Sequence, residues 1–151
     1  MPESHSQEMS RSITENMVRV LPIIKRKFLQ ADTIHQQHGI PNSHINVLTL
    51  LYCSGSMPVS EISRQLSIAK PNITPILDKL YDKGMIDRTH DDKDRRVVRV
   101  VLLPKGEETV ESILRSIAAQ FEVYGQKLTE KDLNELDQAL ESVARILTAL
   151  S

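Results

Sequence analysis

Apolar residues recur with a helical step along most of the chain, and only one stretch breaks that rhythm. Ile13, Met17, Val20, Ile24, Phe28 and Ala31 advance by three or four positions and form one stripe of a long helix. Pro22 lies inside this run and predicts a bend near residue 21. Gly39 and Pro41 separate it from a second run, from Ser43 to about Tyr52, with Ile45, Leu48, Leu51 and Tyr52 on one face. After a turn at Ser54, Gly55 and Ser56, a short helix starting near Pro58 brings Ile62 and Leu66 inward. Only Ser67, Ile68 and Ala69 precede a further helical run, in which Ile73, Ile76, Leu77 and Leu80 share a face. Gly84 ends it, because glycine takes the left-handed conformation of a helix terminus without a Cβ clash. Two short helices joined by so brief a turn form a helix-turn-helix.

The period then changes. Met85 to Thr89 and Val97 to Leu103 are rich in β-branched and aliphatic residues, and the charged segment from His90 to Arg96 separates them, which predicts a β-hairpin with a charged tip. Pro104 and Gly106 close the second strand, and Val110, Ile113, Leu114, Ile117, Phe121 and Tyr124 trace another helix. Leu133, Leu136, Leu140, Val143, Leu147 and Leu150 are spaced 3, 4, 3, 4, 3, a seam of the coiled-coil kind. Such a seam packs either on the body of its own chain or on a second copy. With an apolar stripe at the other end of the sequence, a dimer built from both terminal helices is the expected arrangement. The fold class is therefore mainly α with a small β-hairpin wing. A winged helix-turn-helix over residues 43–103 is flanked by dimerisation helices at 10–38 and 107–150, within a single domain spanning 1–151.

Composition narrows what this fold does. A chain of 151 residues buries enough surface to hold together without disulfides or structural metal, and its one cysteine, Cys53, excludes an internal disulfide and any CxxC zinc arrangement. There is no run of about 18 apolar residues, and the polar, acid-containing start is unlike a signal peptide, so no membrane association and a cytoplasmic location are expected. The net charge of −1 hides a gradient: residues 1–60 carry +1, residues 61–103 carry +2 and residues 104–151 carry −4. The more basic middle segment predicts a local anion-binding face rather than a bulk polyanion binder.

Helix-turn-helix followed by a hairpin offers one helix to the major groove and a basic loop to the adjacent minor groove. Lys70, Asn72, Thr74, Asp78 and Lys79 are the polar residues on the outward face of the second helix. Asn pairs with adenine through two hydrogen bonds, while Lys and Thr reach guanine edges or phosphates. Arg95, Arg96 and Arg99, with Lys93, stand at or near the hairpin tip, where a guanidinium extends into a narrow groove of negative potential. Asp94 is two residues before Arg96 and can brace it by a charge-assisted hydrogen bond.

These residues carry a resemblance. The order of elements, the stretch from Leu66 to Gly84, and Asp87-Arg88 followed by Asp91-Asp92-Lys93-Asp94-Arg95-Arg96 and an aliphatic strand ending in Lys105-Gly106 resemble the MarR family of bacterial winged-helix regulators, over about residues 10–150. The resemblance implies a homodimer with interlocked terminal helices that binds a pseudo-palindromic operator in double-stranded DNA, usually as a repressor released by a ligand or an oxidant. It makes Lys70 to Lys79 the recognition-helix contact region, Arg96 the minor-groove residue with Asp94 as its brace, and Arg88 and Lys83 phosphate contacts. The chain departs from the family pattern at Ala69, which supplies no capping side chain. It departs again at Pro75, which predicts either a local distortion or a helix that effectively starts near Asn72, and at Leu103-Pro104 after the wing.

Sensing is less defined by the residues. Cys53 follows Leu50, Leu51 and Tyr52 at the end of an apolar helix and is expected to be a buried, inert thiol rather than an oxidant sensor. His35, His38 and His44 lack the further histidines a metal sensor would draw from residues 104–125, so no metal is expected. A small organic ligand, of the aromatic-acid or amphipathic kind the resemblance implies, would bind a pocket lined by Ile24, Phe28, His44, Val47 and Tyr52. The alternative to a DNA-binding regulator is a winged helix used as a protein-interaction module. An enzyme is not expected, and neither is a cofactor: there is no Gly-rich phosphate loop, GxSxG or HExxH, and Glu107 and Glu108 stand at a helix start where they suit the helix dipole.

Overall fold

The computed structural model describes the backbone of residues 2–29 and 31–150, with the side chains of residues 2–4, 31–33 and 35 left out of the description. Among the described residues, ten elements follow in chain order. They are α1 (Pro2–Lys27), α2 (Ala31–His38), α3 (Asn42–Ser54), β1 (Met57–Pro58), α4 (Val59–Gln65), α5 (Lys70–Asp82), β2 (Ile86–His90), β3 (Val98–Leu102), α6 (Pro104–Gly125) and α7 (Glu130–Thr148). The chain is mainly helical, with a small antiparallel wing.

The first apolar stripe is cut in two. α1 passes through Pro22 and ends at Lys27, and Ala31 opens α2 instead of completing one long helix. Phe28 closes the last turn, its N–H donating to the Ile24 carbonyl at 2.9 Å, and its ring packs on α6, 5.4 Å from Phe121 and 5.6 Å from Tyr124.

The core lies under the helix-turn-helix. Val47, Leu48 and Leu51 of α3, Ile62 of α4, Ile73, Leu77 and Leu80 of α5, Ile86 and Val100 of the wing and Val110 of α6 are all buried. Their spacing on α3 and α5 is the three-and-four step of an inward helical face. On α3 that face runs through His44, Val47, Leu48 and Leu51, which rotates it away from the predicted one, and Tyr52 is 41% exposed.

The wing is a three-stranded sheet in the order β1-β3-β2, with Met57 opposite Val100 and Ile86 opposite Leu102. Gly106 allows a close approach here, since a Cβ on it would stand 2.4 Å from the Met85 carbonyl oxygen. Leu103 N–H donates to that same oxygen at 2.9 Å, and Lys105 Nζ donates to the Lys83 carbonyl at 2.7 Å. The start of α6 is thereby fixed to the end of α5, and the Lys105 ammonium serves carbonyls that a helix C-terminus leaves open.

α7 starts on a capping box: Asp132 N–H donates to Thr129 Oγ1 at 3.1 Å and Thr129 N–H donates to Asp132 Oδ2 at 3.0 Å. None of its residues is buried, and the seam residues Leu136, Leu140, Val143 and Leu147 face outward rather than packing on the body of the chain. Met9, Ile13, Met17 and Val20 of α1 are exposed in the same way. No helix among the described residues is long and apolar enough to cross a membrane.

Candidate nucleic-acid interface

α5 presents Lys70, Asn72, Thr74, Asp78 and Lys79 to solvent while Ile73, Leu77 and Leu80 hold it to the core. Ala69 occupies the N-cap position with no side-chain hydrogen bond, as its methyl group requires. The helix begins at Lys70 and continues through Pro75 without interruption, so the start is not displaced to Asn72. Asn72 and Ile73 N–H both donate to the Ala69 carbonyl, at 2.8 and 3.1 Å, which closes the first turn without a cap.

Asp78 and Arg88 meet each other rather than standing as separate contacts. Arg88 Nη2 donates to Asp78 Oδ1 at 2.5 Å, and the guanidinium carbon lies 5.9 Å from the centre of the Tyr81 ring. A cleft of about 440 Å³ opens between α5 and the wing, with Lys70, Thr74, Arg88 and Arg96 among its walls and Pro58 and Leu77 beneath. Three cations around one groove are suited to an anionic backbone.

The wing tip is organised by two aspartates. Asp91 Oδ1 accepts from the N–H groups of Lys93 at 2.9 Å and Asp94 at 3.3 Å, and Asp91 Oδ2 accepts from Arg99 Nη1 at 3.1 Å. The amides of Lys93 and Asp94, followed by the Arg99 guanidinium, hold the Asp91 carboxyl below its ordinary range. Asp94 Oδ1 accepts from Arg96 N–H at 3.0 Å, whereas the Arg96 Nε stands 3.6 Å away. The brace therefore acts first on the backbone of Arg96 and leaves its side chain 95% exposed. Arg95 is also exposed, and its carbonyl lies 2.8 Å from His90 Nδ1, a contact across the tip that the sequence pattern did not single out.

Arg99 stands near the tip, bonded to Asp91, but as the second residue of β3 rather than in the turn itself. It sits opposite Thr89 within the sheet, with Nη2 donating to the Ser56 carbonyl at 2.6 Å, so both ends of its guanidinium are used to hold the wing.

The five residues predicted to line a ligand pocket do not gather. His44 and Val47 are buried in the core, Phe28 stacks against α6, Ile24 is half-buried and Tyr52 is exposed. An apolar groove of about 780 Å³ opens elsewhere, on the opposite side of α3, where Ile45 and Leu50 face Leu29, Ile34, Ile113 and Ile117. The cause is the rotation of α3 already described, which turns positions 44 and 47 inward and 45, 46, 49, 50 and 53 toward α6. Cys53 belongs to this groove and is exposed, not buried.

His44 contacts Ser43 Oγ at 3.2 Å, and burial, with Lys79 and Lys83 nearby, lowers its pKa. His38 is on α2, and the side chain of His35 lies outside the described residues. Among the described residues no three His, Cys, Asp or Glu side chains group as metal ligands.

Known proteins share this arrangement. The model of the MarR family matches residues 33–98, from α2 to the first residue of β3. The HTH-type transcriptional repressor MdtR of Bacillus subtilis (strain 168) is 32% identical over 114 residues, covering 76% of this chain and 72% of that protein. The crystal structure of YusO from Bacillus subtilis is similar with a TM-score of 0.62 and 26% identity, covering 92% of this chain and 96% of that one. A MarR family protein from Bacillus stearothermophilus shares the fold with a TM-score of 0.76 at 20% identity, over 92% and 97% of the two chains.

Proposed function

The chain belongs to the MarR family of DNA-binding transcriptional regulators, and from that premise we propose that it is a homodimeric repressor of a pseudo-palindromic operator, released by a small organic ligand. The observation that carries the reading is Arg96. Its side chain is almost wholly exposed at the tip of a wing whose own turn is satisfied by Asp91 and Asp94, beside the polar face of α5. An arginine on a preorganised loop next to a recognition helix suits the minor groove beside the major-groove site. Lys70, Asn72, Thr74 and Lys79 supply base and phosphate contacts from α5, Arg88 and Arg95 supply phosphate contacts from the wing, and Asp78 serves through Arg88.

Dimerisation is supported by the exposed apolar seams of α1 and α7, which a single chain leaves in water. Repression is supported by the name of MdtR. The groove between α3 and α6 supports a ligand with an apolar body, and Lys25, Asn42 and Asn46 at its walls suit an acidic end.

The test is a footprint on a bound operator together with Arg96→Ala. Two protected half-sites about one helical turn apart, roughly 34–36 Å, are expected, and Arg96→Ala is expected to weaken binding by about 1–3 kcal/mol. A single asymmetric half-site would remove the dimer, and unchanged affinity would remove the wing.

A further inference from the structure

Pro71 and Pro75 stand one turn apart on α5 and both are exposed. At 100° per residue the two rings fall side by side on the face opposite Ile73, Leu77 and Leu80. Asn72 and Lys79 flank them on one side and Thr74 on the other, and Asp78, held by Arg88, stands beside Pro71 one turn beyond Pro75. The two prolines therefore form, with Asp78 at its far end, the crest of the surface that α5 turns outward.

This crest is an expensive choice for a helix. Pro71 is the second helical residue, where the missing N–H is tolerated. Pro75 is the sixth: it takes from the Pro71 carbonyl the donor that an ordinary residue would supply, and its ring crowds that carbonyl. Packing does not compensate, because neither proline belongs to the core or to the half-buried residues that rest on it. A helix-breaking residue kept on an exposed face, flanked by groups suited to base edges and phosphates, finds its use at that face. What it offers there is a rigid apolar surface with no donor. The one apolar group that B-DNA displays in its major groove is the C5-methyl of thymine.

We propose that Pro71 and Pro75 are specificity-determining residues that form an apolar ridge reading thymine methyl groups in each half-site. The proposal rests on the DNA-binding reading above. The ridge selects thymine by contact with its methyl group, which cytosine lacks. Asn72, Lys79, Lys70 and Thr74 then read or anchor the positions beside it.

The experiment uses the full chain and an operator it selects from random duplexes. Each thymine is replaced in turn by deoxyuridine, which removes only the methyl. Replacement at one or two thymines per half-site is expected to weaken binding about fourfold each, the worth of one buried methyl or methylene. In the double variant Pro71→Ser, Pro75→Ser the same replacements are expected to have no effect. Serine relieves the interior break at Pro75 and costs little at Pro71 in the first turn, and a thermal melt checks that the variant is folded. Equal affinity for thymine and deoxyuridine operators overturns the ridge, as does a deoxyuridine effect that persists undiminished in the double variant. Failure of the wild-type chain to select any sequence overturns the DNA-binding reading and the ridge together.

Discussion

Asp78 of α5 accepts a hydrogen bond from Arg88 of β2 at 2.5 Å, so the helix of the candidate interface and the first long strand of the wing are joined by one ion pair. The acid on the DNA-facing helix thus has a partner, and the arginine keeps its other N–H groups for a phosphate. Both side chains are partly exposed, at 52% and 34%, which limits the pair to about 0.2–1 kcal/mol of stability. Asp78→Ala is therefore expected to change the denaturation midpoint little. Arg88→Ala is expected to lower DNA affinity by a similar factor for all sequences and to reduce the salt slope by about 1. Titrations at several salt concentrations check this, and a loss confined to one base position would contradict it.

Asp91 ties the wing to pH. Its carboxylate is held below the ordinary value of 3.8 by the Lys93 and Asp94 amides and then by Arg99. A depressed acid stabilises the folded wing at every pH above that ordinary value, and the contribution is lost as pH falls through the lowered one. The protection of the Lys93 and Asp94 amides against hydrogen exchange, relative to their intrinsic rates at each pH, is expected to fall in that acid range and to lose the step in Asp91→Asn. An NMR titration midpoint for Asp91 at or above 3.8 would contradict the assignment.

The seam of α7 supplies a further test. Leu140 is 50% exposed in the single chain, so a charge there leaves the folded chain undisturbed but would be desolvated in a dimer. The wild-type protein is expected to sediment at twice its 17.1 kDa chain mass, and Leu140→Glu at the chain mass with its helical circular dichroism retained. Equal masses for the two proteins would exclude the seam as the interface.

What the sequence made legible was periodic. α5 declared itself by Ile73, Leu77 and Leu80, the two wing strands by their β-branched runs, and α7 by its 3, 4 spacing, because each pattern repeats several times. β1 was missed because two residues, one of them proline, carry no period. The break after Lys27 was missed because Phe28 and Ala31 continue the stripe's spacing without interruption, while the ring contacts of Phe28 with Phe121 and Tyr124 lie nearly a hundred positions away. The same holds at the site. Arg96 and its neighbour Asp94 are local and were read, whereas the partners of Asp78 and Arg99 are set by tertiary contacts. The pocket failed for a smaller reason: a one-residue rotation of α3 sends His44 and Val47 to the core and Ile45 and Cys53 to the groove.

The most direct test of a dimeric, sequence-specific regulator is selection of a random duplex library by the full chain at two salt concentrations, which separates base readout from counterion release. Enrichment of a two-fold symmetric site at both salts is the expected result. Binding that disappears at the higher salt without enriching any sequence would contradict it, and would leave the wing and α5 as a surface for protein partners.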